Sequence, residues 1–246
     1  MECSMNLLEL RIQFRALSGR FDLVDADGTD NGANYFINAG QRHLDRINTN
    51  QKSFANAYRF LEVGKFSVQF PYCRAVKEVW VSTTSARWQI EKKNLQDLIA
   101  EYFTTIPSGI TGGDALYYAP GVTRASPELF DAPADEFEGY AGYVDVISAD
   151  HFNYNAILIA PPTDVKLMVE IKGLFYTYPL VGDTDKSYWS VVHPDILIMS
   201  TMRSIEIINR NTQGVNDWDN AIRVATVGID MDGVEEDIAE VTQIKD

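Results

Sequence analysis

Residues 196–208 read ILIMSTMRSIEII, and Ile, Leu or Met fill eight of the thirteen places. That is too many for one stripe of a surface helix. The segment is apolar nearly all round, which predicts a helix at the centre of a core. Pro194 is placed to be its first residue, where the donor that proline lacks would be unbonded anyway. Toward the C-terminus, Asn209–Gly214 predicts a turn, and a last helix begins near Val215–Trp218. Trp218, Ile222, Ala225 and Ile229 form its inward face, with Asp217 and Asp219 in the first turn. At the other end of the chain, Leu7, Leu10, Phe14 and Leu17 recur at helical spacing, widened by Leu8 and Ile12. Asn6 and Glu9 have capping-box spacing, and Gly19 suits a left-handed stop. A polar loop, Asp22 to Asn31, leads to a second helix capped by Asp30, whose apolar face is Ala33, Phe36, Ile37, Gly40, Leu44 and Ile47. Two helices joined by a short loop predict an antiparallel pair.

Between these helices the period changes. Residues 56–63, 66–71 and 77–84 have strand composition, with Gly64-Lys65 as a hairpin turn between the first two. Residues 92–103 predict a short amphipathic helix. Strands return at 141–147, 156–160 and 165–178; in the last, Val165, Leu167, Val169 and Ile171 alternate with Lys166, Glu170 and Lys172. Residues 104–140 show no period and hold four of the nine prolines. They predict an arm that orders against a neighbouring subunit, because Tyr117, Tyr118, Phe130 and Phe137 would be costly to leave in water. The expected fold class is therefore α+β: a four-helix bundle from residues 1–55 and 190–246, with 56–189 as a mostly β insertion carrying the extended loop 104–140.

Composition narrows the function classes. Of 246 residues, 35 are acidic and 21 are Lys or Arg, a net charge of −14 that disfavours a basic nucleic-acid or membrane-surface binder. No apolar run approaches the roughly 20 residues that span a bilayer. Glu9, Arg11 and Arg15 interrupt the first apolar stretch, unlike a secretory signal. Two cysteines, Cys3 and Cys73, make neither a disulfide framework nor a zinc motif, and suit a reducing compartment.

No nucleophile elbow, phosphate-binding glycine loop or His-based metal spacing occurs. The Asp22/Asp25/Asp27/Asp30 loop fails as a calcium loop. Counted from Asp25, glycine falls at the fourth position instead of the sixth, and the twelfth is Phe36. His193 reads as a capping or packing residue, Tyr188 and Trp189 as inter-helix packing, and the acidic run after 230 as a solvated helix face. Two other functions fit parts of the chain. One is a β-rich receptor- or carbohydrate-binding virion module with Tyr117, Tyr118, Tyr140 and Tyr143 as a stacking platform. The other is a hydrolase using carboxylates such as Asp145, Asp150 or Glu170.

The stretch 154–211 runs YNAILIAPPTDVKLMVEIKGLFYTYPLVGDTDKSYWSVVHPDILIMSTMRSIEIINRN. It holds a strand, Pro161-Pro162, a long strand ending in a tyrosine-rich segment and Pro179, an acidic loop, Trp189, His193-Pro194-Asp195 and the apolar helix. Residues 29–46, TDNGANYFINAGQRHLDR, add the core Asn38-Ala39-Gly40-Gln41-Arg42. In both regions, about a third of the chain, the protein resembles the head-to-tail adaptor (head-completion, connector) proteins of tailed bacteriophages. The resemblance implies a virion structural protein with no enzymatic activity, cofactor or metal, made in the host cytoplasm and placed at the neck. It implies a ring, usually of about twelve copies, docked under the portal protein and above a tail or neck protein. Phage DNA would pass through its centre without sequence recognition. It also implies that the acidic C-terminal segment, Asp230, Asp232, Glu235, Glu236, Asp237 and Glu240, docks on the portal.

Overall fold

The computed structural model describes residues 4–47, 54–102, 112–124 and 152–241; the side chains of 122–124, 152–155 and 230–241 lie outside that description. Helices α1 (Leu7–Ser18) and α2 (Ala33–Ile47) come first. Strands β1 (Phe54–Leu61), β2 (Ser67–Gln69), β3 (Cys73–Ser82) and β4 (Arg87–Lys92) follow, then helix α3 (Leu95–Tyr102) and strands β5 (Tyr117–Arg124), β6 (Phe152–Ala160) and β7 (Leu167–Phe175). The chain ends in helices α4 (Tyr188–Val192), α5 (Pro194–Ile208) and α6 (Thr212–Val241). It divides into two compact units, 1–53 with 176–246, and 54–175.

The expected four-helix bundle with a β insertion is overturned. The chain is mixed α/β, and its described residues form six helices and one seven-stranded, nearly closed sheet ordered β1-β7-β3-β4-β5-β6-β2. Chain length explains the curl. Six steps of about 4.8 Å would hold the edges of a flat sheet about 29 Å apart. Yet the edge strands β1 and β2 are joined by residues 62–66 alone, a link that spans at most about 21 Å. The sheet must therefore bend until its edges approach, and β1 and β2 do lie near each other.

The expected β1–β2 hairpin is also corrected. The turn exists, with Gly64 at φ 75° and Lys65 N–H donating to the Glu62 carbonyl, but β1 pairs with β7 and β2 with β6. All neighbours are antiparallel except β4 and β5, whose parallel pairing requires the crossover that α3 begins. Inside, Val79, Val81, Ile90, Ile157, Ile159, Leu167, Val169 and Ile171 are buried on alternating positions. Strand β4 went unpredicted because only Trp88 and Ile90 mark it. Strand β5 falls in the stretch expected to lack structure, its signal masked by Pro120 and Gly121. That proline sits beyond the two residues paired to β4, where the strand has a free side. The predicted strand at 141–147 lies outside the described residues.

In the helical unit α5 is the hub, as its sequence predicts: Ile196, Leu197 and Ile205 are buried. Four equal rods do not surround it. α2 and α6 pack along α5 and α4 abuts it, while α1 meets α5 more than it meets α2, so the expected antiparallel α1–α2 pair is not formed. The reason lies at the start of α1. Its free N–H groups at Leu7 and Leu8 donate to the Asp185 and Asp183 carbonyls, and Arg11 is buried against the Asp183 carboxylate. These bonds satisfy orphan donors and tie α1 to the 183–190 segment. The predicted caps are present: the Asn6/Glu9 box, Gly19 at φ 67°, and Asp30 accepting from Gly32 and Asn34.

The α2–α5 crossing is set by Gly40. A Cβ there would lie 2.8 Å from the Thr201 backbone nitrogen. An exposed helical glycine gains about 1 kcal/mol from alanine, but forcing two backbones apart costs about 1–3 kcal/mol. Gly40→Ala should therefore lower the urea midpoint. Gly228→Ala, with nothing within 4 Å of its Cβ, should hold or raise it.

Candidate functional site

Helix α2 buries an unusual stripe: Ala33, Ile37, Gly40 and Leu44, but also Gln41 and Asp45. The polar members have a task. After β7 the chain runs through 176–180 without a strand or helix of its own, so its backbone groups need partners. Asn38 supplies two, donating to the Leu180 carbonyl at 2.9 Å and accepting from the Leu180 N–H at 2.8 Å. Gln41 donates to the Tyr178 carbonyl at 2.8 Å. Asp45, 3% exposed, accepts from the Thr177 N–H at 2.7 Å, the Thr177 hydroxyl at 2.9 Å and the Trp189 indole at 2.7 Å. Descending α2 from 38 to 45 meets the segment from 180 back to 177, an antiparallel lock of side chain on main chain.

Above this lock lies a groove of about 700 Å³ between α2, α5 and the 177–179 segment. Its walls carry Arg42, Arg46 and Arg203 together with the exposed apolar side chains Tyr35, Ile207 and Ile208. Arg42 and Arg46 are one helical turn apart and exposed. Among the described residues neither pairs with a carboxylate. Arg42 lies 5.6 Å from the Tyr176 ring centre, and Arg46 Nε is 3.5 Å from the Tyr176 hydroxyl. Arg203 pairs with Asp219, whose carboxylate is 3.6 Å from His43 Nε2, beyond hydrogen-bond reach. Burial, then the Arg203 charge, holds the His43 imidazole below its ordinary range; Arg46 pushes the same way and Asp219 opposes them. A chain with net charge −14 thus carries a positive groove.

The other expected residues are dispersed. Tyr117 and Tyr118 belong to β5, not to an arm: Tyr118 is buried in the sheet core and Tyr117 is half-buried, with Lys93 Nζ 4.4 Å from its ring centre. Phe130 and Phe137 lie outside the described residues. So do Tyr140 and Tyr143, and with Tyr118 buried the stacking platform loses its described half. Asp230, Asp232, Glu235, Glu236, Asp237 and Glu240 fall on the last three turns of α6, their side chains outside the description. The loop aspartates each serve a local bond: Asp22 to Arg20, Asp25 to Asn31, Asp27 to the Thr29 N–H, and Asp30 as the α2 cap. Among the described residues no three His, Cys, Asp or Glu side chains converge as metal ligands, and no helix is long and apolar enough to cross a membrane. His193 caps nothing with its side chain and packs edge-on to Tyr188, 5.7 Å between ring centres.

Of the proposed hydrolytic carboxylates, Asp145 and Asp150 lie outside the described residues. Glu170 is held by Arg87 at 2.5 Å and by Asn56 at 3.1 Å on the outer face of the sheet. A mainly apolar cavity of about 660 Å³ in the sheet unit includes Cys73, Leu95, Ile157 and Ile171, and burial pushes the Cys73 thiol up. The chain matches no family model and no curated protein.

Sequence reasoning missed Asp45, Arg46 and Arg203. The signal available was the Arg42/Arg46 pair, like charges four residues apart in an acidic chain.

Two measurements check this site. Asp45→Ala strands three donors in the interior, the Thr177 N–H, the Thr177 hydroxyl and the Trp189 indole, so it should cost about 3 kcal/mol or more by chemical denaturation, at about 1–3 kcal/mol for each orphaned group. His43 is harder to protonate folded than unfolded, so stability should fall as pH drops below the ordinary histidine value of about 6.5. His43→Gln should flatten that acid-side decline in melting temperature and leave the profile above pH 7 unchanged.

Proposed function

We propose that this chain is a head-to-tail adaptor, a virion structural protein that forms a ring at the neck between the portal and the tail. The observation that carries the reading is the lock. The two strings that resemble the adaptor family lie more than a hundred residues apart in sequence, yet their residues meet. Asn38 and Gln41 of the first string bond Leu180 and Tyr178 of the second, and Asp45 bonds Thr177 and Trp189. The residues of these strings hold backbone in place, a structural task that suits a structural protein. The net charge of −14 supports a DNA conduit: a negative lumen repels phosphate and lets the genome pass without sticking.

A sheet-borne binding module is the second reading, favoured by Phe54, Tyr58 and Phe60, all exposed on β1. Size-exclusion chromatography with light scattering, on the chain alone and mixed with its cognate portal, separates the two. The adaptor reading expects a ring-sized complex with the portal, and density for this chain at the neck of intact particles. Binding on a glycan array, with no portal complex and no neck density, would overturn it.

A further inference from the structure

We infer that the basic groove on α2 and α5 receives the acidic C-terminal segment, residues 230–246, of a second copy of this chain, in place of the portal contact that the resemblance implies for that segment. The inference deepens the ring reading and rests on it, by naming the contact that joins neighbours.

Charge comes first. Arg42 and Arg46 stand four residues apart on an exposed helix face, where like charges repel. No carboxylate among the described residues neutralises either, although acidic residues outnumber basic ones 35 to 21. Burial first, then Arg203 and Arg46, hold down the protonation of His43 against the opposing pull of Asp219. An anion belongs in this groove.

Pattern selects the anion. Residues 230–246 read DMDGVEEDIAEVTQIKD, seven acids against one lysine. Glu236 and Glu240 have the spacing of Arg42 and Arg46. Met231, Val234, Ile238 and Val241 recur at i, i+3, i+7 and i+10, a narrow apolar stripe suited to the exposed Tyr35, Ile207 and Ile208 of the groove. A segment with acids beside an apolar stripe matches a groove with arginines beside apolar walls.

Geometry then excludes the chain's own segment. α6 follows α5 after a short turn and packs back along it, so the two run antiparallel. The groove lies at the last turns of α5, from Arg203 to Ile208, beside Asp219 near the start of α6. Helix α6 continues unbroken to Val241. At about 1.5 Å per residue, Asp230 is about 16 Å and Glu240 about 32 Å beyond Asp219, travelling away from the groove. Each copy therefore offers a segment it cannot use and a groove it cannot fill, which is the head-to-tail arrangement that closes into a ring.

The test is fluorescence anisotropy of a labelled synthetic peptide, residues 230–246, against the full-length protein at nanomolar concentration. Saturable binding is expected. The charge-reversed double variant Arg42→Glu/Arg46→Glu should weaken it about tenfold or more, and a peptide carrying Glu236→Lys/Glu240→Lys should regain affinity for that variant. Both arginines are exposed, so an unchanged melting temperature certifies the variant's fold. No saturable binding, equal binding by a scrambled peptide, or indifference to charge reversal overturns the inference. The ring reading fails separately. If the peptide binds as described but no portal complex forms, the groove contact stands and the adaptor falls. If Arg42→Glu/Arg46→Glu forms rings as well as the wild type, the groove contact falls and the adaptor stands.

Discussion

At Gly40 the backbones of α2 and α5 come as close as two helices can, with no room for a methyl group between them. The Ser200 hydroxyl donates to the Gly40 carbonyl at 2.9 Å across the same contact, so the approach is held as well as permitted. The polar stripe of α2 is indexed from that point. One residue on, Gln41 reaches the Tyr178 carbonyl. One further turn places Asp45 under Thr177 and Trp189. A wider crossing would leave these side chains short of the main chain they serve, and Gln41 and Asp45 are buried. Close packing and hydrogen bonding are thus the same constraint seen twice: the glycine sets the distance at which the polar stripe works.

The sheet unit obeys a different constraint, chain connectivity. A link of five residues between its two edge strands forbids a flat sheet, and the parallel β4–β5 pair is possible only because α3 starts the crossover. Its core is aliphatic and alternating, and it spends few polar groups inside. Glu170, the buried carboxylate of β7, is on the outer face, covered by Asn56, Tyr58 and Arg87. The helical unit by contrast buries Arg11, Gln41, Asp45, Ser190, Ser200 and Thr201. Burying that many polar groups costs stability unless each is bonded, and most serve segments lacking regular structure.

What the sequence disclosed, and what it hid, follows from these two constraints. Caps and helix faces were legible because they are local: Asn6 with Glu9, Gly19, Asp30 and Pro194 each act within one turn of their own position. Strand content was legible where aliphatic residues alternate, as in β3 and β7, and illegible in β4 and β5, where tertiary pairing overrides a weak local pattern. Connectivity was not legible. Gly64-Lys65 is a turn in the sequence and in the fold, but only the pairing of β1 with β7 and β2 with β6 shows that it joins two edges instead of making a hairpin. The four-helix bundle failed for the same reason: most of each apolar face is buried, though Leu17, Ile47, Ile207 and Ile208 are exposed, and the partners of those faces were assigned by counting helices. Of the site, Asn38, Gln41 and Arg42 were singled out through resemblance. Asp45 needed the structure, because a carboxylate next to Leu44 looks like surface until Thr177 and Trp189 are seen around it.

The positive groove brings the acidic composition and the helix lengths into one argument. If a flexible linker joined a groove to a complementary segment on the same chain, the effective concentration would reach millimolar values, and each copy would satisfy itself. Self-association would then have to compete with that. An uninterrupted α6 removes the competition by carrying residues 230–241 away from the groove at a fixed rise per residue. The rigid helix thereby turns an intramolecular attraction into an intermolecular one, without strengthening any contact. Net charge acts in the opposite sense: two chains at −14 repel within a Debye length of about 8–10 Å, beyond which that repulsion is screened. Within that distance the repulsion is strongest, so a contact between copies must supply enough local attraction of arginine to carboxylate to outweigh it. The inferred groove contact meets that demand by setting two arginines against two carboxylates at contact distance, and it joins copies in one direction only.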